Sequence, residues 1–307
     1  MSQNVSLQRL DQRPIPDGIG EIREFLVVRN EALRLPDNLR HHRALGISRF
    51  FVVDNGSTDG TLDFLLAQPD VHLFSTQESF AASGFGISWI NGLLDAYGDG
   101  HWTLTVDADE LLIYPGFESV ALPKVCAHLD HLQAQGMFCM LLDMYAEAPL
   151  KDVGYRAGDS LIAACPWFDP APYRTIEAAA FPHVQIYGGV RERIFQFAGS
   201  AAPNSPTLSK VPLVRWQAGM RFLLCTHSLT PIRLAQMTGV QLHFKFLGDF
   251  HNRAMTEAAR GEHFAGAIEY KIYVEFLARD PALTLRDKNS VRLQGSRQLV
   301  ELGMMAI

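Results

Sequence analysis

The stretches FFVVDNGSTDG at residues 50–60 and HWTLTVDADEL at residues 101–111 decide the predicted fold of this chain. Each is a run of apolar, β-favouring residues that ends abruptly in carboxylates. In α/β proteins, ligands bind at the carboxyl ends of buried parallel strands, and carboxylates there suit a metal ion. The two stretches therefore predict a metal-assisted ligand site at one edge of a sheet.

Strand and helix signals alternate through the first half of the chain, as they do in βαβ units. The predicted strands are 24–28, 49–53, 71–74 and 102–106, and the predicted helices are 31–45, 60–67 and one around Ile87 to Leu94. In the second half, 137–145 is predicted as a strand and 257–278 as a helix packed back on the domain. The proline-rich stretch 150–235 is predicted to be mostly loops and short strands that form an acceptor-binding wall.

Composition and charge narrow the possible classes of protein. The 307 residues are 48% hydrophobic and 20% charged, which suits one folded domain over 1–307, with a ligand-binding half at 20–115 and an acceptor-side half at 116–307. A net charge of −6 without a basic run argues against a nucleic-acid partner. The four cysteines lack CxxC spacing, and no signal peptide or transmembrane segment is predicted. A cytoplasmic location is expected, with association at the cytoplasmic face of the membrane left open.

VVRNEALRLPDNLRHHRALGISRFFVVDNGSTDGTLDFL at 27–65, followed by LTVDADE at 104–110, resembles the nucleotide-binding half of family 2 glycosyltransferases. The resemblance covers residues 1–115. It rests on the Asn-Glu pair after the first strand, the DxGSTDGT turn and the DxD motif. It implies an inverting enzyme with the GT-A fold, an α/β fold in which helices cover both faces of a mostly parallel twisted sheet. An irregular acceptor-side extension would follow.

The resemblance also implies a nucleoside-diphosphate sugar donor, with UDP as the expected nucleotide, and Mn²⁺ or Mg²⁺ as the cofactor. Asp107 and Asp109 are the expected metal ligands, because hard cations prefer carboxylate oxygens and residues two apart in an extended stretch point the same way. An exposed acidic turn is the alternative. The expected donor-binding residues are Arg29, Asn30, Glu31, Asp54, Asn55, Asn91, Asp107 and Lys245. Thr58 and Asp59 are expected to cap the next helix.

The chain departs from the family pattern at two positions. Asn55 stands where the family usually has an aspartate that helps to hold the uracil, although an asparagine oxygen still accepts from a base N–H. In SGFGISWINGL at 83–93, Asn91 is present but Ile90 replaces a basic residue. Another cation must then help to neutralise the diphosphate.

QLHFKFLGDF at 241–250 supplies a candidate for that cation. Polar residues alternate with apolar ones, so His243 and Lys245 share one face of a predicted strand. His243 is predicted as a third metal ligand and Lys245 as a diphosphate contact. A strand whose polar face is simply solvated is the alternative.

The general base that inversion requires has no motif of its own. Glu192 in GGVRERIF (188–195) is the first candidate, followed by Asp249 and Glu147. Arg191 and Arg193 are candidates for binding phosphate or a sugar hydroxyl, or are the outward residues of a hairpin. His41, His42 and His227 are expected to be structural or surface histidines, and no role is assigned to them.

Two other classes of function stay open. A nucleotidyltransferase would share the sheet and the carboxylates but normally needs a glycine-rich basic loop where this chain has VVRNEALRLP. An inactive carbohydrate-binding or scaffold protein would be expected to have lost the metal carboxylates, which are intact here. For the enzyme, a saccharide or glycolipid acceptor is expected, for example in cell-envelope synthesis.

Overall fold

The computed structural model describes residues 7–197, 205–280 and 282–307. Its strands are β1 (Gln8–Arg9), β2 (Ile22–Val28), β3 (Arg49–Asp54), β4 (Val71–Ser75), β5 (Trp102–Thr105), β6 (Glu110–Ile113), β7 (Gly136–Tyr145), β8 (Trp167–Phe168), β9 (Tyr173–Glu177), β10 (Val184–Gly188), β11 (Ser209–Arg215), β12 (Gly239–Phe246) and β13 (Val291–Arg292). Its helices are α1 (Leu35–Leu45), α2 (Thr61–Leu66), α3 (Ile87–Tyr97), α4 (Leu122–His131), α5 (Leu161–Ala164), α6 (Gly189–Phe197), α7 (Phe250–Arg260), α8 (Phe264–Leu277) and α9 (Ser296–Glu301).

A central sheet with the strand order β1-β4-β3-β2-β5-β11-β7-β12-β6 organises the molecule. Six of these strands, β2, β3, β4, β5, β7 and β12, run in one direction, and β11 lies antiparallel between β5 and β7. The carboxyl ends of the six therefore meet at the same edge. The predicted mixed α/β class, with a large, mostly parallel sheet flanked by helices, is confirmed.

Alternation along β3 explains why both faces of the sheet are covered. Phe50 and Val52 point into a core with Leu39 of α1, whereas Phe51 and Val53 point into another core with Trp89 of α3. Successive side chains of a strand face opposite ways, so a continuous apolar run needs helices on both sides. The strands and helices predicted in the first half are found to within a few residues, except that α1 begins at Leu35, with Pro36 in its first turn. The structure adds β1, β6 and α4, which were not predicted.

The second half departs further from the prediction. The stretch 150–235 contains two helices, α5 and α6, and also β11, a strand in the middle of the sheet. Pro212 lies within β11, but the pairing with β7 shifts register between Lys210 and Leu213, and such an irregularity accommodates a proline. The single helix predicted over 257–278 is two helices, because Gly261 ends α7 in the left-handed conformation (φ 65°).

The histidine pair of α1 covers the edge strand β6. His41 Nε2 lies 2.7 Å from the Leu112 carbonyl oxygen, and His42 Nε2 accepts from the Leu112 N–H at 3.2 Å. On its other side, His42 Nδ1 lies 3.1 Å from Glu24 in β2. These contacts satisfy backbone groups of an edge strand that would otherwise be unpaired. Burial lowers the pKa of His42 to about 3.

We expect acid to destabilise the fold through His42. Its folded-state pKa lies below the value of about 6.5 in the unfolded chain, so its contribution is present above pH 6.5 and is lost as the pH falls from there towards 3. Over this range, His42 alone should make the free energy of unfolding fall by about 1.4 kcal/mol for each pH unit. Urea unfolding between pH 7.5 and 5 measures it. His42→Gln should flatten the profile, whereas the exposed control His251→Gln should leave it unchanged.

Candidate functional site

Polar residues gather at the edge of the sheet where β2, β3 and β5 end. Val28 is the register partner of Asp54, so Arg29 to Glu31 and Asp54 to Asn55 leave the sheet side by side. The Asp107–Glu110 turn follows β5, which pairs with the other side of β2. The DNGSTDG and DADE stretches therefore meet at one edge of the sheet.

The DNGSTDG turn is tied to the end of β2 by its own side chains. Asp54 Oδ2 accepts from the N–H groups of Gly56 and Ser57 at 3.0 and 3.1 Å, while its buried Oδ1 has no hydrogen-bond partner within the described ranges. Asn30 Oδ1 accepts from the Thr58 N–H at 2.7 Å. Asp59 accepts from the Thr61 N–H at the start of α2, and Thr58 binds Asn30. The cap residue of α2 is Gly60, one position after the two residues predicted to cap it.

Asn55 lies in the wall of a pocket of about 240 Å³. Its amide group donates to the carbonyls of Thr76 and Glu78 at 3.2 and 3.0 Å, which leaves Oδ1 as its acceptor for a ligand. Arg29 lines the same pocket and donates to the Asn55 carbonyl. Across the opening, Glu262 from the α7–α8 connection accepts from the Ser79 hydroxyl and the Ala81 N–H. The pocket is thus bounded by strand ends and by the C-terminal helices.

The DADE segment is a tight turn, which corrects the extended geometry assumed from the sequence. The Glu110 N–H donates to the Asp107 carbonyl at 3.0 Å, and Ala108 is buried behind the turn. The Asp107 side chain is 58% exposed, whereas that of Asp109 is 6% exposed. The two carboxylates consequently have different neighbours.

Lys210 of β11 is a buried cation that the sequence reading missed. Its ammonium group lies 2.5 Å from Glu110 Oε1 and 3.2 Å from Asp107 Oδ2. Burial would lower the pKa of Lys210, but Asp107 and Glu110 together raise it above its ordinary value. The signal was a lone lysine inside the apolar stretch SKVPLVR, where a charge requires a partner.

Asp109 faces His243, as the metal prediction requires, and two further residues hold that histidine. The distance from Asp109 Oδ2 to His243 Nε2 is 3.5 Å, and His243 Nδ1 lies 2.5 Å from Asp143 Oδ1. Arg191 donates to both oxygens of Asp143, at 3.0 and 2.7 Å. Burial would raise the pKa of Asp109, but the positive field of His243, Arg253 and Arg34 lowers it below the ordinary value. Asp143 and Arg191 thus orient the histidine from behind.

The polar face of β12 is buried, which corrects the alternative of a solvated strand face. All eight residues of β12 are buried, including Gln241, His243 and Lys245. Gln241 donates to Glu110 at 3.1 Å, and Lys245 donates to Glu269 of α8 at 2.7 Å. Lys245 therefore already has a carboxylate partner.

The remaining predicted residues lie in local ion pairs or structural contacts. Glu31 is buried against Arg253 and Arg34, and burial raises its pKa to about 7. Asp249 receives both guanidinium arms of Arg34, at 2.9 and 2.7 Å. Both halves of the Asn91 amide bind the backbone of Phe222, which gives Asn91 a structural role in this conformation.

The carboxylates proposed as the general base also have hydrogen-bond or ion-pair partners. Glu192 sits on α6, not on the predicted hairpin or glycine loop, and binds Arg174 and Ser205. Glu147 is exposed and pairs with Arg286. Arg193 donates to Asp169. None of these contacts places one carboxylate ahead of the others as the base.

His227, in the stretch CTHSL, lies near Lys210. Its Nδ1 is 2.7 Å from the Ser209 carbonyl oxygen, so Nδ1 carries the proton and Nε2 is the free acceptor. Burial and the nearby Lys210 lower the pKa of His227 to about 3. The side chain is therefore a neutral hydrogen-bonding group at neutral pH.

Within the described residues, no group of three or more His, Cys, Asp or Glu side chains is arranged to hold a metal ion. Across the same ranges, no helix has the length and apolar character needed to cross a membrane.

Comparison with known proteins gives distant structural likenesses only. No family model matches the chain, and no curated protein matches it. Residues covering 47% of this chain align with 48% of the Staphylococcus aureus TarS 1–349 structure, at 17% identity and a TM-score of 0.30. A putative glucose-1-phosphate thymidylyltransferase from Bacillus anthracis gives 10% identity over 92% of this chain and 93% of that one, with a TM-score of 0.31.

UDP-glucose pyrophosphorylase from Acinetobacter baumannii gives 10% identity over 84% of this chain and 99% of that one, with a TM-score of 0.34. The chain spans about half the length of the TarS structure that it matches. Likenesses this distant assign neither a family nor an activity to the chain.

We expect Lys210 to stabilise the fold chiefly by neutralising Glu110. Lys210→Met should lower the free energy of unfolding by about 3–5 kcal/mol, because it leaves a buried carboxylate without its counter-charge. The double variant Lys210→Met/Glu110→Gln removes both charges and should recover much of that loss. Guanidinium unfolding at pH 7 gives both values. If the free energy of unfolding of Lys210→Met lies within about 1 kcal/mol of the wild-type value, the Lys210–Glu110 pair is unimportant for stability.

Proposed function

We propose that the chain is a metal-dependent inverting glycosyltransferase that moves a sugar from a nucleoside-diphosphate donor, with UDP as the nucleotide, to a hydroxyl of a saccharide or glycolipid acceptor. The observation that carries the proposal is the Asp109–His243 pair, backed by Asp143, at the strand edge that also carries the Asn55 pocket. The resemblance to family 2 enzymes in DNGSTDG and DADE supports the same conclusion. Cell-envelope synthesis is the proposed setting, at the cytoplasmic face of the membrane.

The carboxylates of the Asp107–Glu110 turn are of the type that a hard divalent cation binds, although the proposed ligands are not gathered around one point in this conformation. The Nε2 of His243 is the atom that faces Asp109, while its Nδ1 lies 2.5 Å from Asp143 and 3.0 Å from the Arg191 guanidinium. A carboxylate behind a histidine is the usual support of a histidine metal ligand. Asp107 is exposed, so its carboxylate can turn from Lys210 towards an incoming ion. We assign Asp109, His243 and Asp107 as ligands of Mn²⁺ or Mg²⁺, which would stabilise the charge on the departing diphosphate.

The pocket beside Asn55 suits the nucleoside. Asn55 Oδ1 is free to accept from a base N–H, and the Phe80 ring supplies an apolar wall. Arg29 and Arg260 line the same pocket and provide positive charge for phosphate or ribose oxygens. Asp54 and Asn30 would act indirectly, because their side chains hold the turn that presents Asn55.

In the transfer step, the acceptor oxygen attacks the anomeric carbon and its proton passes to a basic group of the protein. The bond from that carbon to the diphosphate breaks, and the nucleoside diphosphate leaves with the electron pair. Glu192, Asp249 and Glu147 remain the proposed bases, in that order. Asp249 would first have to give up contacts with Arg34, since both of its oxygens are bound.

Replacing His243 should change metal dependence more than donor affinity. His243→Ala removes one proposed ligand and should raise the Mn²⁺ concentration needed for half-maximal activity by about tenfold or more, and Asp109→Asn should do so more strongly. The exposed His251→Ala is the matched control. Thermal shift with Mn²⁺ alone gives a readout independent of turnover. If His243→Ala and Asp109→Asn both keep the wild-type Mn²⁺ response, the metal assignment is wrong.

Replacing Asn55 should weaken nucleotide binding with little effect on the metal. Asn55→Ala removes one acceptor, worth about 1 kcal/mol, and should lower UDP affinity about fivefold in calorimetry at saturating Mn²⁺. Asn289→Ala, on an exposed turn, is the control, and melting temperatures show whether the loop itself is damaged. Unchanged UDP affinity would leave the DNGSTDG turn with a structural role only.

Donor screening separates this proposal from its alternatives. Metal-dependent stabilisation by a UDP-sugar, followed by release of UDP with an acceptor, supports glycosyl transfer. Release of pyrophosphate from UTP and a sugar 1-phosphate would instead make the chain a nucleotidyltransferase. Saccharide binding without any nucleotide binding would indicate an inactive carbohydrate-binding protein.

A further inference from the structure

A second cavity, of about 270 Å³, opens beside the carboxyl end of β7. Because β7 runs in the same direction as β5, this cavity lies at the same edge of the sheet as the Asp107–Glu110 turn, two strands further along. Adjacent strands are about 4.8 Å apart, which puts β5 and β7 about 10 Å apart across the sheet. Leu213 of β11 pairs with both Leu104 and Met137, so β7 continues about seven residues, or about 23 Å, past the end of β5. None of the nucleotide or metal residues lines this cavity.

Trp167 forms an aromatic wall of the cavity and is held in place from outside it. Of the four tryptophans, Trp89, Trp102 and Trp216 are 0%, 5% and 1% exposed, whereas Trp167 is half-buried and lines the cavity. The Arg286 guanidinium lies 4.0 Å from the centre of its ring, and Glu147 pairs with Arg286. Stacking on one side of the indole limits its rotation and pre-organises it for a ligand.

The rest of the lining combines small residues with balanced charges. Ala146, Ala148 and Ala163 leave room for a ring-sized ligand. Two carboxylates, Glu147 and Asp152, are matched by Arg292 in the lining and by Arg286 behind Glu147. A cavity without net charge does not favour a phosphate group, but its carboxylates accept from hydroxyls and its guanidinium donates to them.

We infer that this cavity binds a neutral saccharide unit of the acceptor, with a pyranose C–H face on Trp167 and hydroxyl groups on Asp152 and Arg292. The inference rests on the proposed glycosyl transfer, because it names the substrate class of the acceptor side. An aromatic surface attracts the weakly positive C–H bonds of a sugar ring, and a few placed polar groups fix its orientation. A saccharide chain held in the cavity would extend along β7 towards the donor turn, which lies nearer the middle of that strand.

Acrylamide quenching of tryptophan fluorescence tests the binding directly, since Trp167 is the most accessible of the four indoles. Neutral gluco-, manno- and galacto-trisaccharides are titrated without donor or metal, and each is also offered as a diacylglycerol glycoside in phosphatidylcholine vesicles. Shielding by at least one saccharide is expected, and Trp167→Phe should remove the quenchable signal. Shielding by the vesicle form alone identifies a glycolipid acceptor, and shielding by free trisaccharide identifies a soluble one.

Arg292→Ala should lower the affinity for the saccharide that shields Trp167 by about tenfold. Arg297 is an exposed arginine of α9, and Arg297→Ala should leave that affinity unchanged. No shielding in either form, or equal affinity in both arginine variants, overturns the inference. Its failure is distinguishable from failure of the proposed function. Shielding without any UDP-sugar turnover refutes the transferase proposal, and turnover without shielding refutes only this cavity.

Discussion

The buried ammonium of Lys210 is the constraint on which the geometry of the site depends. By neutralising Glu110, it lets that carboxylate remain inside the sheet and accept from the Asp107 N–H and the Gln241 amide. These bonds hold the turn in one conformation, with Asp107 exposed and Asp109 directed to His243. The positive charge of Lys210 offsets part of the cost of burying this carboxylate, whose pKa burial nevertheless raises to about 7.

The same principle of local neutralisation governs the elements around the turn. Asp143 is matched by Arg191, Glu31 by Arg253, Asp249 by Arg34 and Glu269 by Lys245. Each of these cations was a possible partner for a donor diphosphate, yet each is already bound to a carboxylate. A diphosphate arriving at this edge therefore gains most from an added cation, which agrees with the proposed need for Mn²⁺ or Mg²⁺.

Sequence patterns predicted correctly those strands whose burial is encoded in their own residues. Apolar runs ending in DNGSTDG and DADE placed β3, β5 and the shared edge correctly, because a run buried on both faces leaves an unambiguous sequence signal. The strand β11 was missed because Pro212 looked like a breaker, and the register shift that tolerates it depends on the partner strand. Lys210 and Asp143 were missed as site residues for the related reason that their partners lie 48 to 103 residues away, and Arg191, predicted as a phosphate or sugar contact, pairs with Asp143 instead. The face of β12 was predicted correctly in its alternation, but whether that face met water or buried carboxylates depended on the tertiary fold.

The order of strands in the sheet also arranges the proposed steps in space. The Asn55 pocket lies where β3 and β4 end, the Asp107–Glu110 turn follows β5, and the Trp167 cavity lies at the end of β7. Nucleoside, diphosphate and acceptor would then occupy successive positions along one edge of the sheet. The antiparallel strand β11 separates β5 from β7, and it is also the strand that carries Lys210. One insertion in the sheet thus both separates the donor turn from the acceptor cavity and supplies the charge that keeps the donor turn folded.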